Sequence, residues 1–475
     1  MAPGPFAAVG RPVAASVAFE VMSATRASAQ EIAALQRSRL VHLLQSAQGA
    51  PLHRRALLGR DPHEVPLSAL PVMDKVRLMQ HFAESLTAPG IRLEDLRAFC
   101  ADPALIGQPC CGSCWAWESS GSTGQPALFV QDAAAMAVYD ALEATRRHWP
   151  RPWVRFLDPL GLAERHAFVG AIGGHFASVV TVRRLCAAYP WLAANWRCFS
   201  ILQPTRDLVG QLDDYAPTTL ATYPTAAVML AGEAQRGRLR ARPQEIWTGG
   251  ETLSPAMRAC IATAFGAELR NSYGASEFLP IAWECAHRRL HVNADWVILE
   301  AVDAQHRPVP AGRLSHTTLL TNLANHLQPL IRFDIGDRIV LGGESCPCGS
   351  ALPVVQVQGR CDDMLVVPGR DGSPVTLLPL ALSTVLEDEA GIFDFQLRQT
   401  GPREWELLLG PGASHMPEAR ARYRRVLADF AAAQGAVGLR IATQVADALP
   451  LGRTGKLKRI VAAPRAARTR SALRA

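Results

Sequence analysis

Lysine is almost missing from this 475-residue chain. Of its 49 basic residues three are lysines, Lys75, Lys456 and Lys458, and the other 46 are arginines. Arginine keeps its proton at any physiological pH and presents a planar fork. A lysine that survives in such a sequence therefore marks a place that wants a compact, flexible point charge. Also missing is any apolar run of about 18 residues or more, so no membrane-spanning helix is expected. The first 21 residues lack a basic segment followed by a continuous apolar core, which argues against a secretory signal. Residues 1–28 are expected to be a disordered lead, or part of an over-extended start with Met22 as the initiator. The 11 cysteines are scattered without a framework spacing, a pattern that fits a reducing cytoplasm. The net charge of +7 is spread along the chain apart from Arg465, Arg468, Arg470 and Arg474. With no basic-aromatic stripe, nucleic acid is not an expected partner, and residues 463–475 read as a solvated basic tail.

What is present is enough for two or three domains, with 49% hydrophobic and 19% charged residues. Ile32, Leu35, Leu40, Leu43 and Leu44 give residues 29–47 a helical period, and a second helix is expected over 75–86. Strands are expected at Leu128–Val130, Trp153–Leu157, Phe199–Leu202, Glu245–Thr248 and Glu268–Tyr273, with helices between them. This alternation predicts an α/β domain with largely parallel strands. Ser254-Pro255 is a helix start, and residues 296–341 turn strand-rich. Past residues 361–363 a hairpin, two helices and three strands predict a compact α+β unit. Cys110, Cys111 and Cys114 make one isolated Cys-x-x-Cys, read as ordinary buried thiols.

Five segments carry chemistry. Ser119-Ser120-Gly121-Ser122-Thr123-Gly124-Gln125-Pro126 packs hydroxyls and glycines into a loop that can wrap a phosphate. It is not a Walker loop, because no Lys follows Gly124. Trp247-Thr248-Gly249-Gly250-Glu251 ends a strand with glycines, a ligand position in α/β sheets. Asn271-Ser272-Tyr273-Gly274-Ala275-Ser276-Glu277 combines an aromatic ring, a glycine, a hydroxyl and a carboxylate. Leu330-Ile331-Arg332-Phe333-Asp334-Ile335-Gly336-Asp337 is followed by Gly359-Arg360-Cys361-Asp362-Asp363. Pro450-Leu451-Gly452-Arg453-Thr454-Gly455-Lys456-Leu457-Lys458-Arg459 holds two of the three lysines.

In this order the segments resemble the core motifs of the adenylate-forming (ANL) superfamily, and most resemble its phenylacetate–CoA ligase and coenzyme F390 synthetase-like branch. The resemblance implies a large N-terminal, multi-sheet α/β domain over 29–361 and a small mobile α+β lid domain over 362–462, with Asp362 as the hinge. It implies that a carboxylic acid is activated with ATP and Mg²⁺ and then passed to CoA, the acid being aryl or arylacetic. In this reading Ser119, Ser120, Gly121, Ser122, Thr123 and Gly124 hold the β- and γ-phosphates. Glu277 takes Mg²⁺ and Ser276 lies near the α-phosphate. Tyr273 and Gly274 flank adenine opposite Gly249, Gly250 and Glu251. Asp337 takes the ribose hydroxyls with Arg360, and Lys456 reaches the carboxylate and α-phosphate oxygens. Expected pocket walls are Phe168, His175, Phe176 and Tyr223.

Cys285, His291, Cys346 and Cys348 offer three thiols and an imidazole, a closed set for structural Zn²⁺, with His287 as a competing ligand. Some members of the resembled branch carry zinc at matching positions. Two departures stand out. Ala127 stands where many relatives have Lys, so that contact is missing. Leu365–Gly372 differs from the pattern that lines the CoA tunnel in many ligases, which bears on the acceptor. A carrier-protein thiol or an amine is therefore the alternative acceptor, and a non-catalytic nucleotide-binding homologue is the reading from another class. The expected partners are a small-molecule carboxylic acid, ATP, and CoA or a carrier protein. No membrane partner is expected, and a homodimer stays open.

Overall fold

The computed structural model describes residues 10–119, 126–146, 158, 164–343, 345–360, 364–370, 374–377, 379–451 and 457–462. They fall into two compact units that part between Val357 and Gln358. The chain boundary expected at 361–363 lies outside the described residues.

The first unit opens with a correction. Gly10–Thr25 forms a helix where a disordered lead was expected. It folds because it has a partner: it packs along the helix Ala133–Arg146, burying Val21 and Ala24. Thr25 Oγ1 accepts a 3.0 Å hydrogen bond from Arg146 Nε. The next helix, Ala29–Ala47, runs as its period predicts and starts on a reciprocal capping box between Ser28 and Glu31. The helix expected over 75–86 stops at Gln80 and is followed by a short 3₁₀ turn at Ala83–Ser85.

Strands β1 (Trp115–Glu118) and β2 (Leu128–Gln131) form an antiparallel hairpin. Next come β3 (His166–Gly170), β4 (Trp196–Ser200), β5 (Thr219–Thr222), β6 (Glu245–Thr248) and β7 (Glu268–Tyr273), all parallel, in the spatial order 4-3-5-6-7. The antiparallel β8 (Ala282–Glu284) and β9 (Leu290–Val292) extend this sheet beyond β7. A separate three-stranded antiparallel sheet holds β10 (Val297–Val302), β11 (Thr317–Asn322) and β12 (Phe333–Asp334). β13 (Asp337–Leu341) and β14 (Val354–Arg360) return to the large sheet at its far edge.

In the parallel half, alternate residues face opposite ways. Ala167, Val169, Leu220, Ile246 and Leu269 point into one core cluster with Leu208, Leu212, Leu230 and Ile261. Those partners belong to the helices Thr205–Tyr215, Pro224–Gln235 and Pro255–Phe265. The residues between them, His166, Phe168, Thr219, Ala221, Glu245 and Trp247, face the other side, where the sheet is not filled. The chain crosses from β4 on one flank of β3 to β5 on the other. That reversal is a topological switch point, the place where α/β sheets bind ligands.

The second unit carries the hairpin β15 (Leu365–Pro368) with β16 (Pro374–Leu377). It also has a four-stranded sheet of β17 (Phe395–Gln399), β18 (Glu404–Leu409), β19 (Arg440–Val445) and β20 (Ile460–Val461). The helices Pro379–Asp388 and Pro417–Ala433 pack on it through Leu382, Leu386, Tyr423 and Leu427, around Phe395 and Trp405. The whole is thus a mixed α/β architecture of several sheets. Among the described residues no helix is long and apolar enough to cross a membrane.

Candidate functional site

The motif at the end of β7 is held from three sides. Gly274 turns so tightly that a Cβ there would lie 2.0 Å from the Leu279 carbonyl oxygen, so only glycine fits. The Ala275 amide donates to Phe278 O at 3.1 Å and closes the turn. Trp117, fully buried in β1, donates its indole N–H to the Ser276 carbonyl at 2.8 Å. Asn322, at the end of β11, donates to the Glu277 carbonyl at 2.9 Å and to the Tyr139 hydroxyl at 2.8 Å. Its own side-chain oxygen accepts from the amides of Ala324 and Asn325. Each polar arm of Asn322 is therefore occupied and its direction is fixed. Tyr139 in turn donates to Gln131 Oε1 at 3.1 Å, and burial pushes its phenol up.

Two motifs 64 residues apart then meet. The Tyr273 hydroxyl donates to Asp337 Oδ2 at 2.6 Å, a short, charge-assisted bond. Thr318 Oγ1 ties the Asp337 carbonyl at 2.7 Å. At the end of the neighbouring β6, Gly249 lies so close to β7 that a Cβ would sit 2.7 Å from Ser272 Oγ. Gly250 follows with φ of 77°, a left-handed conformation that suits glycine. Glu251 accepts from the Thr225 amide at 3.1 Å and its hydroxyl at 2.8 Å. Its carboxylate thus sits at the N-terminus of the helix Pro224–Gln235, where negative charge is favoured.

Ser119 stands at the foot of the loop the sequence singled out. Its amide donates to Ala127 O at 2.8 Å, and its hydroxyl accepts from the Ala127 amide at 2.9 Å. Its side chain therefore ties the two ends of the loop together. Ser120, Gly121, Ser122, Thr123 and Gly124 lie outside the described residues, as do Asp362 and Lys456. Arg360 ends β14, and its side chain lies outside them too.

Beside these motifs a cavity of about 680 Å³ runs along the open face of the parallel sheet, between the helices Ala133–Arg146 and Ala177–Ala188. It reaches from Gly249, Gly250, Gly274 and Ser276 at the C-terminal ends of the strands to His166, Thr219 and Glu245 at their N-terminal ends. Phe168, Phe176 and Tyr223 line it, and burial pushes the Tyr223 phenol up to about 12. His175 does not belong to that lining. It is buried behind the wall, bonding the Asp102 carbonyl at 3.0 Å with its ring edge-on to Phe99. Trp117, Asn322, Thr219 and Glu245 were not singled out from the sequence as site residues. Their signal is the register between strands, which one strand read alone does not contain.

A second constellation lies where β8 and β9 meet the 346–348 turn. Ligand atoms of Cys285, His291, Cys346 and Cys348 all lie within 4.8 Å of one another. Cys285 Sγ is 3.7 Å from Cys346 Sγ, and Cys348 Sγ is 3.3 Å from His291 Nε2. A tetrahedron with metal–sulfur bonds of about 2.3 Å has edges of about 3.8 Å, so these atoms are spaced to share one ion. His291 Nδ1 donates to the Leu352 carbonyl at 2.9 Å, which leaves Nε2 as the lone-pair nitrogen facing the sulfurs. Burial lowers the proton affinity of this imidazole, as a neutral ligand requires. His287, the competing ligand, is exposed and outside the group. Of the other cysteines, Cys110 and Cys114 are buried and paired through reciprocal backbone bonds, and Cys111 is exposed.

No protein-family model matches the sequence. Protein CapK of Staphylococcus aureus is 27% identical over 162 residues, which are 33% of this chain and 34% of CapK. The chain thus spans about a third of the curated relative it matches. Among solved structures, 2-hydroxyisobutyryl-CoA ligase in the postadenylation state with R3-HIB-AMP superposes with a TM-score of 0.65. It is 20% identical, and the match covers 92% of this chain and 91% of the ligase. The same ligase with 2-HIB-AMP and CoA in its thioesterification state gives a TM-score of 0.53. Over nine-tenths of its length, this chain has the fold of the adenylate-forming (ANL) enzymes.

Proposed function

We propose that the protein is an ATP-dependent, AMP-forming carboxylic acid ligase of the cytoplasm. In the first step a carboxylate oxygen attacks the α-phosphorus of ATP, and the bond to pyrophosphate breaks. In the second the thiol of CoA gives up its proton and its sulfur attacks the acyl carbon, releasing AMP. The observation that carries the reading is the meeting of Tyr273 and Asp337 over 2.6 Å beside the turn that fixes Ser276 and Glu277. A side-chain ring, a paired oxygen acceptor for ribose and a buried carboxylate thereby belong to the same segment as Gly274 and Ser276, which line the cavity, or are bonded to it. Glu277 is a hard oxygen donor of the kind Mg²⁺ selects, and Mg²⁺ there would screen phosphate charge. Tyr273 and Gly274 would flank adenine, with Gly249, Gly250 and Glu251 opposite. Ser119 to Gly124 would hold phosphate oxygens, and Arg360 would assist Asp337.

Lys456 would meet the negative charge that grows on the carboxylate and α-phosphate, as the compact cation such a site wants. Residues 29–361 would form the adenylating domain and 362–462 the lid hinged at Asp362. Aromatic walls at Phe168, Phe176 and Trp247 support an aryl or arylacetic acid. The Cys285, His291, Cys346 and Cys348 set would hold a structural zinc ion.

The test is acid-dependent pyrophosphate release from ATP and Mg²⁺, with and without CoA. Release with aryl acids, a CoA-dependent thioester, and loss of both in Lys456→Ala are expected. Full activity in Lys456→Ala would overturn the mechanism.

A further inference from the structure

Register converts the open face of the parallel sheet into three transverse rows. His166 pairs with Trp196 on one side and Thr219 on the other, and Thr219 pairs with Glu245. These four form the row at the N-terminal ends of the strands, and all four line the cavity. Two residues on, Phe168 pairs with Ala221 and Ala221 with Trp247, an apolar and largely aromatic row. Two residues further stand Tyr223, Gly249 and Ser272, next to the Ser276–Glu277 turn. Four strand residues separate the first row from the last, about 13 Å.

The far row is polar although it is deeply buried. Thr219 and Glu245 are 6% and 4% exposed. Glu245 lines the cavity, and an ionised carboxylate only accepts hydrogen bonds, so it calls for a donor. Trp247 Nε1 donates to Glu245 Oε2 at 3.2 Å, which aims this carboxylate along the cavity wall. His166 stacks on Trp196 and pairs with Glu164 at 3.3 Å. The described lining includes Glu118, Asp140, Glu143 and Glu245, of which Asp140 is paired with Arg184.

We propose that the cavity takes an elongated carboxylic acid with an aromatic middle and a hydrogen-bond donor, hydroxyl or amine, at the end remote from its carboxyl group. The assignment rests on the adenylation reading for the direction in which the acid lies. The carboxyl end meets the Gly249 and Ser276 row, the ring lies over Phe168, Ala221 and Trp247, and the donor reaches Glu245.

The experiment pairs 3-phenylpropanoic acid with its 4-hydroxy and 4-amino derivatives, and cinnamic acid with 4-hydroxycinnamic acid. Binding is read by calorimetry without ATP, and turnover by pyrophosphate release. The donor-bearing acid of each pair is expected to be preferred by about tenfold or more, since a site built to bond a donor rejects the analogue without one. Glu245→Gln should shrink that ratio, and its Tm checks that it folds. Comparing the hydroxy and amino acids tells which donor the row selects. Turnover without preference within the pairs would overturn this inference and leave the ligase reading standing. A donor preference in binding with no pyrophosphate release would overturn the ligase reading alone. Binding of none of the acids would overturn the inference.

Discussion

Gly274→Ala is the smallest change that tests the site. Gly274 has ordinary negative φ, so alanine brings no backbone strain of its own, and the whole effect comes from one methyl group. That methyl would stand 2.0 Å from the Leu279 carbonyl oxygen, where real contacts essentially never fall under 3.0 Å. The turn must therefore open by about 1 Å, and it is the turn that presents Ser276 and Glu277. Overpacking of this kind costs about 1–3 kcal/mol of stability. The larger effect is on the chemistry, because a misplacement of about 1 Å in a positioned group costs about 100-fold in rate. Acid-dependent pyrophosphate release should fall by that order, with the protein still folded by calorimetry. Gly210→Ala serves as the control. It lies inside the helix Thr205–Tyr215 with nothing within 4 Å of the added carbon, so it should leave the rate alone and gain about 0.4–1 kcal/mol. A folded Gly274→Ala enzyme within about threefold of the parent rate would refute the reasoning.

Three further outcomes follow from the geometry. Tyr273→Phe removes the donor 2.6 Å from Asp337; hydrogen bonds to charged groups are worth about 1.5–3 kcal/mol. KM for ATP should rise about tenfold or more, and an unchanged KM would detach Asp337 from the nucleotide. Elemental analysis should find about one zinc per chain, closed off from water. Cys346→Ser should lose the zinc and lower Tm, and metal-free protein with a parental Tm would dismiss the site. Burial lowers the proton affinity of His53, which bonds the Pro329 carbonyl at 2.9 Å. With its folded pKa below its ordinary 6.5, its stabilising contribution is complete above pH 6.5 and shrinks as pH falls toward the folded value. The loss approaches about 1.4 kcal/mol per pH unit in that window. His53→Gln should make Tm less dependent on pH between 7.5 and 5.5, and an unaltered slope would count against it.

The sequence made some of this legible and hid the rest for physical reasons. β6 and β7 fall at the expected residues, and so does the helix Ala29–Ala47, because a capping box and a clean helical period are local signals. The motif glycines were readable too, since Gly249 and Gly274 stand where close backbone approach forbids a side chain. β3 and β5, the middle of the parallel sheet, were not expected as strands. His166–Gly170 and Thr219–Thr222 are short and rich in alanine, glycine and threonine, so neither carries the apolar run or the clean alternation that marks a strand. Without them no register could be drawn, so the rows of the cavity stayed invisible. His175 looked like a pocket wall and proved to be packing because its partner, Asp102, is distant in sequence. The helix at Gly10–Thr25 escaped notice for the same reason: its stability lies in contact with the helix Ala133–Arg146.

The two faces of the parallel sheet have a consequence for how this protein can change over generations. Ala167, Val169, Leu220, Ile246 and Leu269 serve the packed side. Their immediate neighbours Phe168, Thr219, Ala221, Glu245 and Trp247 serve the open one. Selection can rewrite every second letter of β3, β5 and β6, altering what the cavity admits, without removing a methyl group from the core behind it. Specificity and foldability are thus inherited on alternating residues of the same strands. A library restricted to the cavity-facing positions would be expected to yield mostly folded proteins with diverging preferences.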